Sequence, residues 1–130
     1  MLKINEKVNE IEIFFISYLS LLNNFNSKKQ RTMAIKKQYL KSKPICKVTF
    51  SVPAKNAKKV VVAGDFNKWD TKKSQLRKLK NGTFKGTIDL EKDKSYQFKY
   101  IIDGTYINEE QADGYVWNDF AGTENSLLEL

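Results

Sequence analysis

The chain has 130 residues, within the ~100–200 residues usual for one domain. With 41% apolar and 29% charged residues it reads as globular, neither disordered nor fibrous. There is no histidine and one cysteine, Cys46. That excludes His-ligated metal sites, Ser-His and Cys-His nucleophile pairs, an internal disulfide framework and multi-cysteine metal sites. No metal and no cofactor is expected, and binding modules stand ahead of enzymes.

The net charge is +8, from 23 Lys+Arg against 15 Asp+Glu. An excess of this size raises nucleic acid as a partner. The charge is unevenly spread. Lys28 to Lys80 holds 17 basic residues and two acids, Asp65 and Asp70, whereas Asn81 to Leu130 holds four lysines and ten acids. If the two halves pair within one fold, they neutralise each other locally. The lysines are also not interleaved with aromatics in any nucleic-acid motif, so nucleic acid ranks as a distant reading.

In chain order, residues 1–43 read as an N-terminal extension and linker. The apolar stretch Ile11 to Leu22 is shorter than the ~20 residues a membrane helix needs. Glu6, Glu10 and Glu12 precede or interrupt it where a secretory leader would carry basic residues. A short helix over Val8 to Leu22, stopped by Asn23-Asn24-Phe25-Asn26, is the plain expectation. Ser27 to Thr32 is a basic linker. An alternative start at Met33 would make residues 1–32 an upstream extension. The expected location is cytoplasmic, with no membrane span.

From residue 44 to 130 the pattern is β. Ile45 to Val52 alternates, with Cys46, Val48, Phe50 and Val52 inward. Pro53 ends the run. Lys59 to Ala63 is a β-branched strand closed by Gly64. Leu76 to Leu79 is short and leads into Asn81-Gly82, a signal for a two-residue hairpin. Thr83 to Leu90 follows, with Phe84, Gly86, Ile88 and Leu90 on one face. Ser95 to Ile102 places Tyr96, Phe98, Tyr100 and Ile102 on one face and Gln97, Lys99 and Ile101 on the other. After the Asp103-Gly104 turn come Tyr106-Ile107 and finally Ser126 to Leu130. Seven short strands with turn punctuation and no helix predict an all-β sandwich.

Few residues offer chemistry. Asp65, Asp103, Glu109, Glu110 and Asp113 could pair as acid and base for glycoside hydrolysis. They sit in polar turns, where carboxylates bind backbone donors, and the turn role is the favoured reading. Cys46 on an inward face reads as a small buried hydrophobe. Trp69, in the polar loop Gly64-Asp65-Phe66-Asn67-Lys68-Trp69, either caps the core edge or stacks on a ligand that is half apolar and half hydroxyl, as a sugar ring is. Lys99 and Tyr106 supply donors and a ring nearby in the pattern.

Three segments together resemble carbohydrate-binding module family 48. They are Val61-Val62-Ala63-Gly64-Asp65-Phe66-Asn67-Lys68-Trp69, Tyr96 to Gly104, and Asn118 to Ser126 with Gly122-Thr123-Glu124-Asn125-Ser126. The family includes the glycogen-binding domain of the AMP-activated protein kinase beta subunit and the early set domains of isoamylases and branching enzymes. The resemblance covers roughly Pro44 to Leu130. It implies an immunoglobulin-like sandwich and a non-catalytic surface for α-1,4-linked glucan. Carried over by position, the site is Trp69, Lys99, Tyr106, Thr123 and Asn125. Two positions depart from the family pattern: Tyr106 stands for a second Trp, and Ala121 for an apolar wedge. Phe120 and Trp117 are neighbouring rings whose placement the sequence leaves open. The expected partners are an α-glucan and an enzyme of glucan metabolism. The alternative is a protein-interaction module of the same fold without carbohydrate affinity, using Trp69 and Tyr106 as interface anchors.

Overall fold

Period-two alternation writes strands that need one face covered, and the structure covers them with each other. The computed structural model describes residues 32–130. The expected Val8–Leu22 helix lies outside the described residues. Among the described residues nine strands form: β1 (Ala34–Tyr39), β2 (Ile45–Pro53), β3 (Val60–Gly64), β4 (Arg77–Lys78), β5 (Thr83–Glu91), β6 (Ser95–Ile102), β7 (Thr105–Ile107), β8 (Gly114–Asn118) and β9 (Thr123–Glu129). They make two antiparallel sheets, ordered β1-β2-β5-β4 and β3-β6-β9-β8, with β7 paired to β6. The protein is an all-β sandwich.

The inward residues expected for β2 are all fully buried: Cys46, Val48, Phe50 and Val52. They meet Val60 and Val62 of β3, Phe98 and Tyr100 of β6 and Leu128 of β9 in one core drawn from both sheets. Its rings pack edge-on, Phe50 against Phe98 at 5.5 Å and Phe98 against Tyr100 at 5.7 Å. Burial pushes the Cys46 thiol above its ordinary pKa, the behaviour of a packing residue.

One side of the sandwich is closed by the chain passing from sheet to sheet. Val62 N–H donates to Ser74 O at 3.0 Å and Leu76 N–H to Val60 O at 2.8 Å, covering the open edge of β3. Leu76 then fills the space that Gly86 leaves: a Cβ at 86 would lie 2.7 Å from Leu76 Cδ2. This is why Gly86 sits on an otherwise apolar face.

The structure differs from the sequence expectations at four places. Residues 34–39, inside the stretch read as linker, form β1 and pair along their length with β2. The hairpin at Asn81-Gly82 has three loop residues, since Leu79 N–H donates to Thr83 O at 2.8 Å. Gly82, at φ 86°, takes its left-handed position. β8 is an additional strand, and β9 begins at Thr123. The opposite charges also do not meet in pairs as expected. Among the described residues two ion pairs form, Lys37–Asp113 at 2.7 Å and Lys94–Glu91. Charge instead sorts by sheet. Lys36, Lys37, Lys47, Arg77, Lys78 and Lys85 lie on the β1-β2-β5-β4 sheet, against Asp89 and Glu91, while the strands of the other sheet carry one lysine, Lys99.

Candidate functional site

The outer face of the β3-β6-β9-β8 sheet is built in cross-strand rows. Ala63 of β3 stands opposite Lys99 of β6, Val61 opposite Ile101, and Ile101 opposite Tyr106 of β7. On the far side Val116 and Asn118 of β8 stand opposite Asn125 and Thr123 of β9. Alternation therefore delivers Lys99, Tyr106, Thr123 and Asn125 to one face.

The loop after β3 brings Trp69 to the same face. Gly64 allows it to start: a Cβ there would lie 2.5 Å from Gln97 O and 2.7 Å from Phe98 Cβ. Phe66 drops into the core against Phe50, at 6.0 Å between centroids. Asn67 closes the turn, accepting Gly64 N–H at 3.0 Å and donating to Val62 O at 2.9 Å and Ser74 Oγ at 3.0 Å. Lys68 and Trp69 then both adopt φ 57°, a left-handed conformation that costs about 1–2 kcal/mol per residue. The turn holds them there: Trp69 N–H donates to Gly64 O at 2.9 Å. The indole rests on the buried trio Val61, Ala63 and Ile101, half-buried and with its Nε1–H on Asp65 Oδ1 at 3.1 Å. The ring covers an apolar patch at the core edge and also lines a cleft.

That cleft has a volume of about 550 Å³ and is lined by Trp69, Lys99, Tyr106, Asn118, Phe120, Ala121, Thr123 and Asn125. All five residues expected from the sequence line it. Asn118 and Phe120 are additions. Asn118 Oδ1 accepts Phe120 N–H at 3.0 Å, and Gly122 N–H donates to Asn118 O at 2.9 Å, which shapes the β8–β9 hairpin and presents the Phe120 ring to solvent. A phenylalanine in the polar turn Asn118-Asp119-Phe120-Ala121-Gly122 was the available signal. Trp117, 60% exposed, points away from the cleft and donates its indole N–H to Asp119 at 2.8 Å.

The polar groups on the cleft floor are few and nearly buried. Lys99 is 6% exposed, and its ammonium makes one long hydrogen bond, to Thr123 Oγ1 at 3.4 Å. Burial pushes the Lys99 pKa below the ordinary lysine value. Asn125 is 4% exposed and donates to Gln97 Oε1 at 3.1 Å. Among the described residues no carboxylate lines the cleft. The turn carboxylates hold backbone instead. Asp65 Oδ2 accepts Gln97 N–H at 2.7 Å, Asp103 accepts Lys58 and Lys59 N–H, and Asp113 accepts Glu129 N–H at 2.7 Å. Glu109 differs, being fully buried beside Tyr100, and burial pushes its carboxyl pKa up.

An open, ring-walled cleft on one sheet face, supplied with donors, has the form of a ligand-binding site. The chain belongs to carbohydrate-binding module 48, the isoamylase N-terminal domain, whose family model matches residues 35–116. The match takes in Trp69, Lys99 and Tyr106 and begins inside β1; Phe120, Thr123 and Asn125 lie beyond it. No curated protein matches the chain.

Proposed function

We propose that the chain is a non-catalytic module for α-1,4-linked glucan of the glycogen or starch type. One observation carries the reading: nearly buried Lys99 lines the cleft with a single long bond to Thr123, in a lining shared with the Trp69 and Tyr106 rings. Such a group has unused donors that a vicinal hydroxyl pair accepts, while the rings stack on the C–H faces of the sugars. Thr123 and Asn125 add further hydroxyl contacts. Glycoside hydrolysis uses two carboxylates, and none of the described residues lining the cleft is one. Each contact is modest, so affinity for one short oligosaccharide is low and gains by avidity on a polysaccharide. An enzyme of glucan metabolism is the partner this reading favours.

Native affinity electrophoresis in gels containing glycogen or amylose tests it. Wild type is retarded and Trp69→Ala is not. Equal migration of the two, with or without polysaccharide, contradicts it.

A second reading, a protein-interaction module, draws on the fully exposed Phe120 and the exposed Trp117 outside the cleft. Exposed aromatics of this kind anchor protein interfaces. Co-purification of a partner that survives excess maltoheptaose favours it over the first.

A further inference from the structure

Past Tyr106 the same sheet face holds a second cavity, of about 300 Å³. Tyr106 lines both cavities, so the two adjoin at this residue. The floor of the second is the buried cross-strand pair Val61 and Ile101, with Ile101 directly opposite Tyr106. Lys59, Thr71 and Gly104, all exposed, complete it. Like the first cleft it offers a tyrosine, an ammonium and a hydroxyl. The Lys99 and Ile101 rows lie about 7 Å apart along β6, two residues of strand rise. A chain of sugar rings in the first cleft that continues along β6 therefore runs onto the second.

The wall of this cavity is held in place. Asp103 Oδ1 accepts Lys59 N–H at 2.8 Å and Lys58 N–H at 3.0 Å, and Asp103 N–H donates to Lys59 O at 2.9 Å. Asp103 at φ 47° and Gly104 at φ 87° form the tight turn that sets Tyr106 beside Ile101. These bonds use the main chain of Lys59. Among the described residues its ammonium forms no ion pair, which leaves it available to a ligand.

We propose that this second cavity is an extension subsite for the same glucan. The chain crosses Tyr106, and Lys59 and Thr71 donate to the hydroxyls of its next rings. The inference rests on the glucan reading of the first cleft and adds selectivity for chain length to it.

Calorimetric titration with maltotriose and maltoheptaose tests the subsite through the ratio of the two affinities. Wild type binds maltoheptaose more tightly. The double variant Lys59→Ala/Thr71→Ala lowers the ratio by about tenfold, the size of one or two lost hydrogen bonds. Both side chains are exposed and the Asp103 bonds to the main chain remain, so the fold is retained, as thermal unfolding checks. An unchanged ratio in the variant, or equal affinities in wild type, overturns the subsite while leaving the first cleft standing. A wild type that binds neither sugar overturns the glucan reading and the subsite with it.

Discussion

The Asp65 carboxylate holds the Trp69 indole: Oδ1 accepts the Nε1–H at 3.1 Å, while Oδ2 accepts Gln97 N–H of β6 at 2.7 Å. One side chain thus ties the ring of the loop to the strand that carries Lys99. Asp65 is a positioning residue, since it does not line the cleft.

Asp65→Ala frees the indole while leaving the ring present. Glucan affinity falls by about three- to tenfold, and stability by about 1 kcal/mol for the lost Gln97 bond. Asp65→Asn keeps an oxygen acceptor for one of the two donors and recovers part of the affinity. Titration with maltoheptaose of the three proteins, each checked by urea unfolding, reads both effects. Equal losses in the Ala and Asn variants contradict a positioning role.

Lys99 opposes stability where it serves binding. A desolvated ammonium without a carboxylate partner disfavours the folded state, on the order of 1 kcal/mol. Lys99→Met keeps the packing stem and removes the charge, raising Tm by about 4–8 °C and abolishing glucan retention. The pH dependence has a definite sign. With the folded pKa below the ordinary 10.5, the unfolded chain binds more protons between the two values, so wild-type stability rises with pH across that alkaline window. Lys99→Met lacks this rise. A variant that is less stable and equally pH-dependent contradicts the assignment.

Glu109 gives the opposite slope at lower pH. Its Oε2 and the Tyr100 hydroxyl are buried without a hydrogen bond of ordinary geometry, and burial raises the carboxyl pKa above the ordinary 4.5. The folded state then holds its proton more tightly than the unfolded chain does. Stability contributed by the protonated acid is present below 4.5 and lost as pH climbs through the raised value. Glu109→Gln keeps an acceptor for the Gln111 N–H and cannot ionise. Thermal unfolding between about pH 5 and pH 8 shows wild-type Tm falling relative to the variant. Parallel curves contradict the buried-acid account.

Ala121 lines the cleft from the β8–β9 hairpin and is exposed. Ala121→Leu adds apolar surface against the ligand and raises glucan affinity by about three- to tenfold. Tm stays within the small range of surface substitutions. Affinity electrophoresis of the variant beside wild type reads the gain, and a loss of retention contradicts the placement of this loop at the ligand.

Much of the sandwich is legible in the sequence because burial on one face forces alternation. In β2 and β6 the inward residues are apolar and Lys47 and Lys99 mark the other face. β1 hides because it is an edge strand whose Lys36 and Lys37 guard it from pairing with other chains. β8 hides because Tyr115 and Trp117, on the same face as buried Ser126, stay exposed while Val116 takes the cleft side, so polarity does not sort with direction. The five expected cleft residues come from the loop after β3 and from β6, β7 and β9, and the antiparallel registers of these strands bring them together. Phe120 and Asn118 escape because a hairpin loop's direction depends on its own hydrogen bonds. The second cavity escapes because it follows from the Asp103–Lys59 bonds, which join residues 44 positions apart.

The chain has two tryptophans, one in the cleft and one outside it, which makes the most direct test spectroscopic. In a nitrogen-15 correlation spectrum, maltoheptaose added to the labelled protein shifts the Trp69 indole N–H signal, together with the amides around Lys99, Tyr106, Thr123 and Asn125. The Trp117 indole signal stays in place. No shift at any of these positions, or movement of Trp117 without Trp69, contradicts a glucan site in this cleft.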